Sequence, residues 1–278
     1  MSWVCISDTV IHYKMSGNSS LPPALLIHEL GGSIESWSAL MPLVASRTLY
    51  AIDLKGAGAS EKPKGPYSIA GLAAEASEFI AKMRPGEQWD IVGSALGAFV
   101  AAEMTASTPE LVRQLTLSAI VPEIDERTRG YLADRAQRIT SEGLASVTEA
   151  TLGNSFPADF AYPTADQRYA YQMRYRCQDP ASYNALALAL ANYRPPANLF
   201  EQLSMPTLVL AGTRDFIWSA DRVREVARRI PDSRFIEMPN AGHFPHIHDP
   251  HFYASALESF WAEKSSTHAS GTNLASSV

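Results

Sequence analysis

The sequence predicts an α/β fold: a mostly parallel, doubly wound sheet carrying a helical insertion. Three observations lead there. Short, largely apolar runs at residues 24–28, 47–53, 89–92, 115–121, 206–211 and 233–238 read as strands covered on both faces. Helical stretches at residues 69–83, 98–107, 220–229 and 250–263 alternate with them, so the strands join by crossovers and run parallel. Between residues 122 and 200 that rhythm stops. There the chain reads as successive helices with no good strand, closed by Pro195-Pro196.

In chain order, residues 10–13 read as a first strand and GNSSLPP at 17–23 as a turn. Each following strand ends in a loop: HELGGS, LKGAGAS, GSALG, then GTRD and PNAGH near the end. The helical stretch holds ERTRGYLADRAQRI, GLASVTEATLG, ADQRYAYQMRYRC and ASYNALALALANY. The expected division is a core over residues 1–121 and 201–264, an insertion over 122–200, and a small, polar, disordered tail over 265–278.

Composition narrows the function. At 278 residues and 46% hydrophobic, the chain suffices for one α/β unit with a full core. A net charge of −6 lacks the basic footprint that nucleic acid requires, and leaves small molecules as the expected partners. No stretch approaches the length of apolar sequence needed to span a membrane, and the N-terminus lacks a signal-peptide pattern, so a cytoplasmic protein without a membrane partner is expected. It would be a monomer or a homodimer. Cys5 and Cys177 stand too far apart for a disulfide framework or a cysteine metal site, and are expected as buried thiols.

In a parallel sheet the chemistry sits at the carboxyl ends of the strands. Reading those exits places His28-Glu29-Leu30-Gly31-Gly32 after one strand and Gly93-Ser94-Ala95-Leu96-Gly97 after another. It places Asp215 and His243 in two later loops. These features, in this order, resemble the α/β-hydrolase superfamily over roughly residues 10–121 and 200–264. HELGGS resembles its oxyanion loop, DLKGAGAS its D-x-x-G-x-G-x-S turn, and GSALG its G-x-S-x-G nucleophile elbow. GTRD and NAGH match its acid and histidine positions. The resemblance implies that Asp215 orients His243 as base, and that the Leu30 and Leu96 amides form an oxyanion hole. It implies no cofactor and no metal. Residues 122–200 resemble the family's helical cap. HELGGS with SEKP resembles enol-lactone hydrolases of aromatic degradation.

The departure is at Ala95, where the family has its nucleophile. Gly93 and Gly97 fix that register, which leaves Ser94 on the wrong side of the turn. Two explanations stand: a Ser→Ala replacement in a serine hydrolase, or a chain that never used a serine. Leu-Gly after position 95 resembles serine members. The first explanation implies hydrolysis of an ester, lactone or amide in a small metabolite, acidic ones included, with the present chain inactivated. The second implies a cofactor-independent oxygenase or lyase working through the His–Asp pair, or a non-catalytic ligand-binding protein.

Further binding candidates are Glu29, Trp37 and Phe216 beside the catalytic loops. Among the arginines at 127, 129, 135, 138, 168, 174, 176 and 194, those interleaved with tyrosines, Arg168, Arg174 and Arg176, are the candidates for an acidic substrate. His246, His248 and His251 follow His243 closely, but no cysteine or H-E-x-x-H pattern supports a metal. His28 reads as a structural residue.

Overall fold

The computed structural model describes residues 2–159 and 165–269, without the side chains of 165–168 and 264–269. Eight strands form one sheet: β1 (Ser2–Ile6), β2 (Thr9–Ser16), β3 (Pro23–Ile27), β4 (Thr48–Ile52), β5 (Trp89–Ser94), β6 (Val112–Ser118), β7 (Thr207–Gly212) and β8 (Ser233–Met238). Their spatial order is β1-β2-β4-β3-β5-β6-β7-β8. Only β1 with β2 and β2 with β4 pair antiparallel; every other pair is parallel.

The apolar runs are apolar because both faces of the sheet are covered. β3 sends Leu25 and Ile27 into one hydrophobic cluster and Ala24 and Leu26 into another, as a period of two requires. The first cluster holds the inner faces of α1 (Ile69–Met83) and α2 (Leu96–Ser107). The second holds Tyr253, Leu257 and Trp261 of the last helix. Ser68 caps α1 by accepting the amide of Gly71.

Between β6 and β7 lie four helices: α3 (Glu126–Glu142), α4 (Ala145–Ser155), α5 (Ala165–Arg176) and α6 (Pro180–Asn192). We call them the cap. Asp125 and Asp179 begin α3 and α6 by accepting the amides of Thr128 and Ser182. α3 packs on α6, and Ile139, Val147, Tyr175, Tyr183 and Ala187 form the cap's own apolar cluster. After β7 come α7 (Ala220–Arg229), then β8, the short α8 (Pro245–His248) and α9 (Pro250–Ala269). Among the described residues no helix is long and apolar enough to cross a membrane.

Three expectations need correction. A strand, β1, precedes the one expected at residues 10–13; its run Trp3-Val4-Cys5-Ile6 lies at the edge of the sheet and is exposed along most of its length. Both cysteines are exposed rather than buried: Cys5 lies on that edge and Cys177 just past α5. The last helix continues to Ala269, through the start of the segment expected to be disordered; the rest of that segment, 270–278, lies outside the described residues.

Candidate active site

The site is assembled at the carboxyl end of the sheet, and its centre is the turn from β5 into α2. Ala95 sits at φ 51°, ψ −112°, a conformation that a residue with a side chain rarely adopts. Its neighbours are glycine for want of space. A Cβ on Gly93 would lie 2.3 Å from the Gly97 carbonyl oxygen, and one on Gly97 would lie 2.1 Å from that of Ile27 in β3. Ser94 is fully buried and does not line the cavity described below. Gly97→Ala is therefore expected to cost about 3–5 kcal/mol, because the obstacle is backbone. In thermal denaturation that is a fall in Tm of about 5–10 °C. Gly130→Ala, where nothing lies within 4 Å, is the control that leaves Tm unchanged or higher.

α2 starts at Leu96, so the Leu96 amide has no acceptor within the helix and points from its positive end. Leu30 comes from the loop after β3. That loop is held by a chain of hydrogen bonds. His28 places Nδ1 2.7 Å from the Glu29 carbonyl oxygen, and its Nε2 accepts the Leu54 amide at 3.1 Å, which fixes the ring's tautomer. Asp53 accepts the amides of Ile34 and Ala59 and sits 2.7 Å from His12 Nδ1. The DLKGAGAS turn thus braces the loop after β3.

Asp215 and His243 are both nearly buried. Asp215 Oδ2 lies 2.8 Å from His243 Nδ1, while Oδ1 accepts the amides of Ile217 and Trp218 at 2.8 and 3.0 Å. Two backbone donors thus lock the carboxylate, and the carboxylate locks the imidazole. The His243 amide in turn donates to the Ser155 carbonyl at the end of α4, 2.9 Å away. Leu30, Ala95, Leu96 and His243 line one cavity of about 70 Å³, roofed from the cap by residues that include Leu132, Thr151 and Arg135. An outer cavity of about 180 Å³ shares Thr128, Tyr131 and Ile217 with it. A larger cleft of about 610 Å³ lies elsewhere, and its arginines 129, 194, 222 and 229 are bonded to neighbouring groups.

The structure therefore gathers Ala95, Asp215, His243, Leu30 and Leu96 in one place. It does not bring the other described binding candidates there. Trp37 is fully buried below the loop and stacks on His246, ring centres 4.2 Å apart, so it is core. Phe216 is 68% exposed and lines only the outer cavity. Arg174 lies over the Tyr171 ring and Arg176 is exposed at the end of α5; neither lines the inner cavity. The side chain of Arg168 lies outside the described residues. The arginine that does line the cavity is Arg135. Its spacing from Leu132, Ala136 and Ile139 marks the inward face of α3, a signal the tyrosine interleaving obscured.

Glu29 also departs from expectation. It is wholly buried away from the cavity, accepts the Ser36 hydroxyl at 2.8 Å, and lies 3.5 Å from His246 Nε2. It fills the space under Gly32, where a Cβ would come within 2.6 Å of its carboxylate. Burial pushes its pKa up, but the adjoining His246 outweighs burial and holds it at about 2. Such an acid, ordinary value 4.5, stabilises the fold above pH 4.5 and loses that contribution as pH falls toward 2. Glu29→Gln is thus expected to cost on the order of 2–3 kcal/mol at pH 7 and much less at pH 3. Urea midpoints at the two pH values check this; an equal deficit at both would refute it. Among the described residues no group of three or more His, Cys, Asp or Glu side chains could hold a metal ion.

Comparison with known proteins agrees with this geometry. The family model for the alpha/beta hydrolase fold matches residues 22–250. A 2-hydroxy-6-oxo-6-(2'-aminophenyl)hexa-2,4-dienoic acid hydrolase of Metapseudomonas resinovorans is 27% identical, over 87% of this chain and 84% of its own. A 3-oxoadipate enol-lactonase of Acinetobacter baylyi is 22% identical, over 90% of this chain and 92% of its own. Among solved structures, the enol-lactonase of Burkholderia xenovorans LB400 superposes with a TM-score of 0.86 at 20% identity, covering 94% of this chain and all of that one. With the elbow, the His–Asp pair and the family match together, this chain belongs to the α/β-hydrolase fold family.

Proposed function

We propose that the site is built for serine-type hydrolysis of an ester, lactone or amide bond in a small ring-cleavage-type metabolite, and that this chain is a Ser→Ala form lacking only the nucleophile. The observation that carries the reading is the conformation of Ala95. A positive φ on a residue with a side chain costs about 1–3 kcal/mol and persists where it serves a site. That strain aims a methyl group into the same cavity as His243, Leu30 and Leu96, and is useful when the group at 95 is a hydroxyl. The relatives named as a dienoic acid hydrolase and an enol-lactonase support the substrate class.

With serine at 95, His243 takes the hydroxyl proton as the oxygen attacks the carbonyl carbon. Asp215 holds Nδ1–H so that Nε2 is the basic nitrogen. The Leu30 and Leu96 amides receive the developing oxyanion, a contribution of about 10²–10³ in rate for each donor. His243 then returns the proton to the leaving group, and water resolves the acyl-enzyme by the same route.

The test needs no knowledge of the substrate. Ala95→Ser is treated with a fluorophosphonate probe and the adduct is located by mass spectrometry. Labelling at position 95 that His243→Ala abolishes is the expected result. No labelling would remove acyl chemistry and leave oxygenase, lyase or binding functions for the His243–Asp215 pair.

A further inference from the structure

Arg135 carries a permanent charge into the cavity lining, and the acyl-transfer chemistry does not use it. It is 7% exposed and projects from α3 into the roof of the catalytic cavity. Its Nε and Nη2 atoms are buried and have no hydrogen-bond partner among the described residues. What surrounds it is aromatic: the guanidinium lies 5.2 Å from the Tyr183 ring centre, 5.5 Å from Tyr175 and 6.0 Å from Tyr131. The cation sits over those rings, and its Nε–Nη2 edge has no partner among the described residues.

The free edge is the informative part. Nε and Nη2 form the side of the guanidinium that receives both oxygens of a carboxylate. Three other arginines in this protein use it so. Arg84 grips Glu87 through Nε and Nη2 at 2.7 and 2.8 Å, Arg113 grips Asp90 at 2.9 and 2.7 Å, and Arg229 grips Glu201 at 2.8 and 3.1 Å. In Arg135 the same edge is buried, unpaired, and beside the reacting centre. A permanently charged group in that position is costly unless an anion completes it.

We infer that Arg135 is the substrate anchor, binding a carboxylate through Nε and Nη2, so that the natural substrate is an acyl compound carrying a second, ionised acid group. The acyl part of this statement rests on the function proposed above; the carboxylate part does not. Tyr131, Tyr175 and Tyr183 then position the fork, and the acyl carbon reaches position 95 while the acid is held in the roof.

The chain as it stands, with Ala95, is suited to the test because no turnover intervenes. Binding of the monomethyl esters of succinic, glutaric and adipic acid is measured by calorimetry. Each is compared with its neutral counterpart in which the free acid is a primary amide. The best acid is expected to bind at least tenfold tighter than its amide. Arg135→Met and Arg135→Gln are expected to reduce that preference to within about threefold, and Arg135→Lys to keep part of it. No preference in any of the three pairs, or a preference that survives both Met and Gln, overturns the inference. Should those variants fold poorly, the ¹⁵N signal of Arg135 Nε in the unsubstituted chain decides: it shifts with the acid and not with the amide if the inference holds, and responds equally to both if it does not. Acid preference without fluorophosphonate labelling of Ala95→Ser would remove the serine mechanism and leave the anchor standing; labelling without acid preference would do the reverse.

Discussion

Serine in place of Ala95 is expected to raise turnover of an activated ester by about 10⁴–10⁶-fold, with little change in KM. The magnitude follows from what is already present. Asp215 and His243 are paired at 2.8 Å, and the Leu96 amide opens α2 beside position 95. One oxygen completes a unit whose members act together, so its effect is that of the whole unit and not a fraction of it. KM barely moves because the new oxygen bonds to substrate only as the tetrahedral species forms. Steady-state hydrolysis of p-nitrophenyl esters by the two forms, with fluorophosphonate active-site counting, measures the ratio. A gain below tenfold would mean that His243 does not activate a hydroxyl at 95.

In that Ala95→Ser background, Asp215→Asn is expected to lower kcat by about 10⁴-fold while leaving the fold intact. Asp215 Oδ1 is claimed by two backbone donors, Ile217 and Trp218. An asparagine must keep its carbonyl oxygen there, since its amide group cannot accept those bonds. Its NH₂ is then turned toward His243 Nδ1, which becomes the acceptor. The ring proton moves to Nε2, and the nitrogen that should receive the serine proton already carries one. Kinetics and thermal denaturation of the same preparation check both halves. A loss of activity matched by a collapse in Tm would assign Asp215 a structural role instead.

The strands, the crossovers and the loops that carry Ala95, Asp215 and His243 were legible because each rests on local sequence. β3, β4 and β7 are covered on both faces and so carry apolar runs, and β5 does so apart from Asp90, which pairs with Arg47 and Arg113. The elbow was legible in Gly93 and Gly97, where backbone contacts forbid any Cβ. β1 was not, because its short run Trp3-Val4-Cys5-Ile6 is an edge strand, largely exposed, whose burial pattern does not mark it as core. Nor were the places of Trp37 and Glu29. Both follow short loops whose direction is set by distant partners, His246 above all, and no spacing in the sequence encodes that contact. Arg135 was legible only as one of eight arginines. What distinguishes it is that its Nε and Nη2 are buried without a partner, and that becomes visible only when the whole cap is folded.

The contact between Ser155 and the histidine loop has a consequence for how such proteins diversify. Backbone meets backbone there: the Ser155 carbonyl takes the His243 amide, and a Cβ on Gly242 would lie 2.6 Å from that same oxygen and 2.8 Å from Pro157. The seam has no room for a side chain at position 242. A cap exchanged from a relative with a different α4 ending would arrive with its polypeptide in the wrong place and would drag His243 with it. Specificity can drift one side chain at a time on α3 and α6, but wholesale grafting must carry the turn after α4 and the histidine loop as a single inherited block.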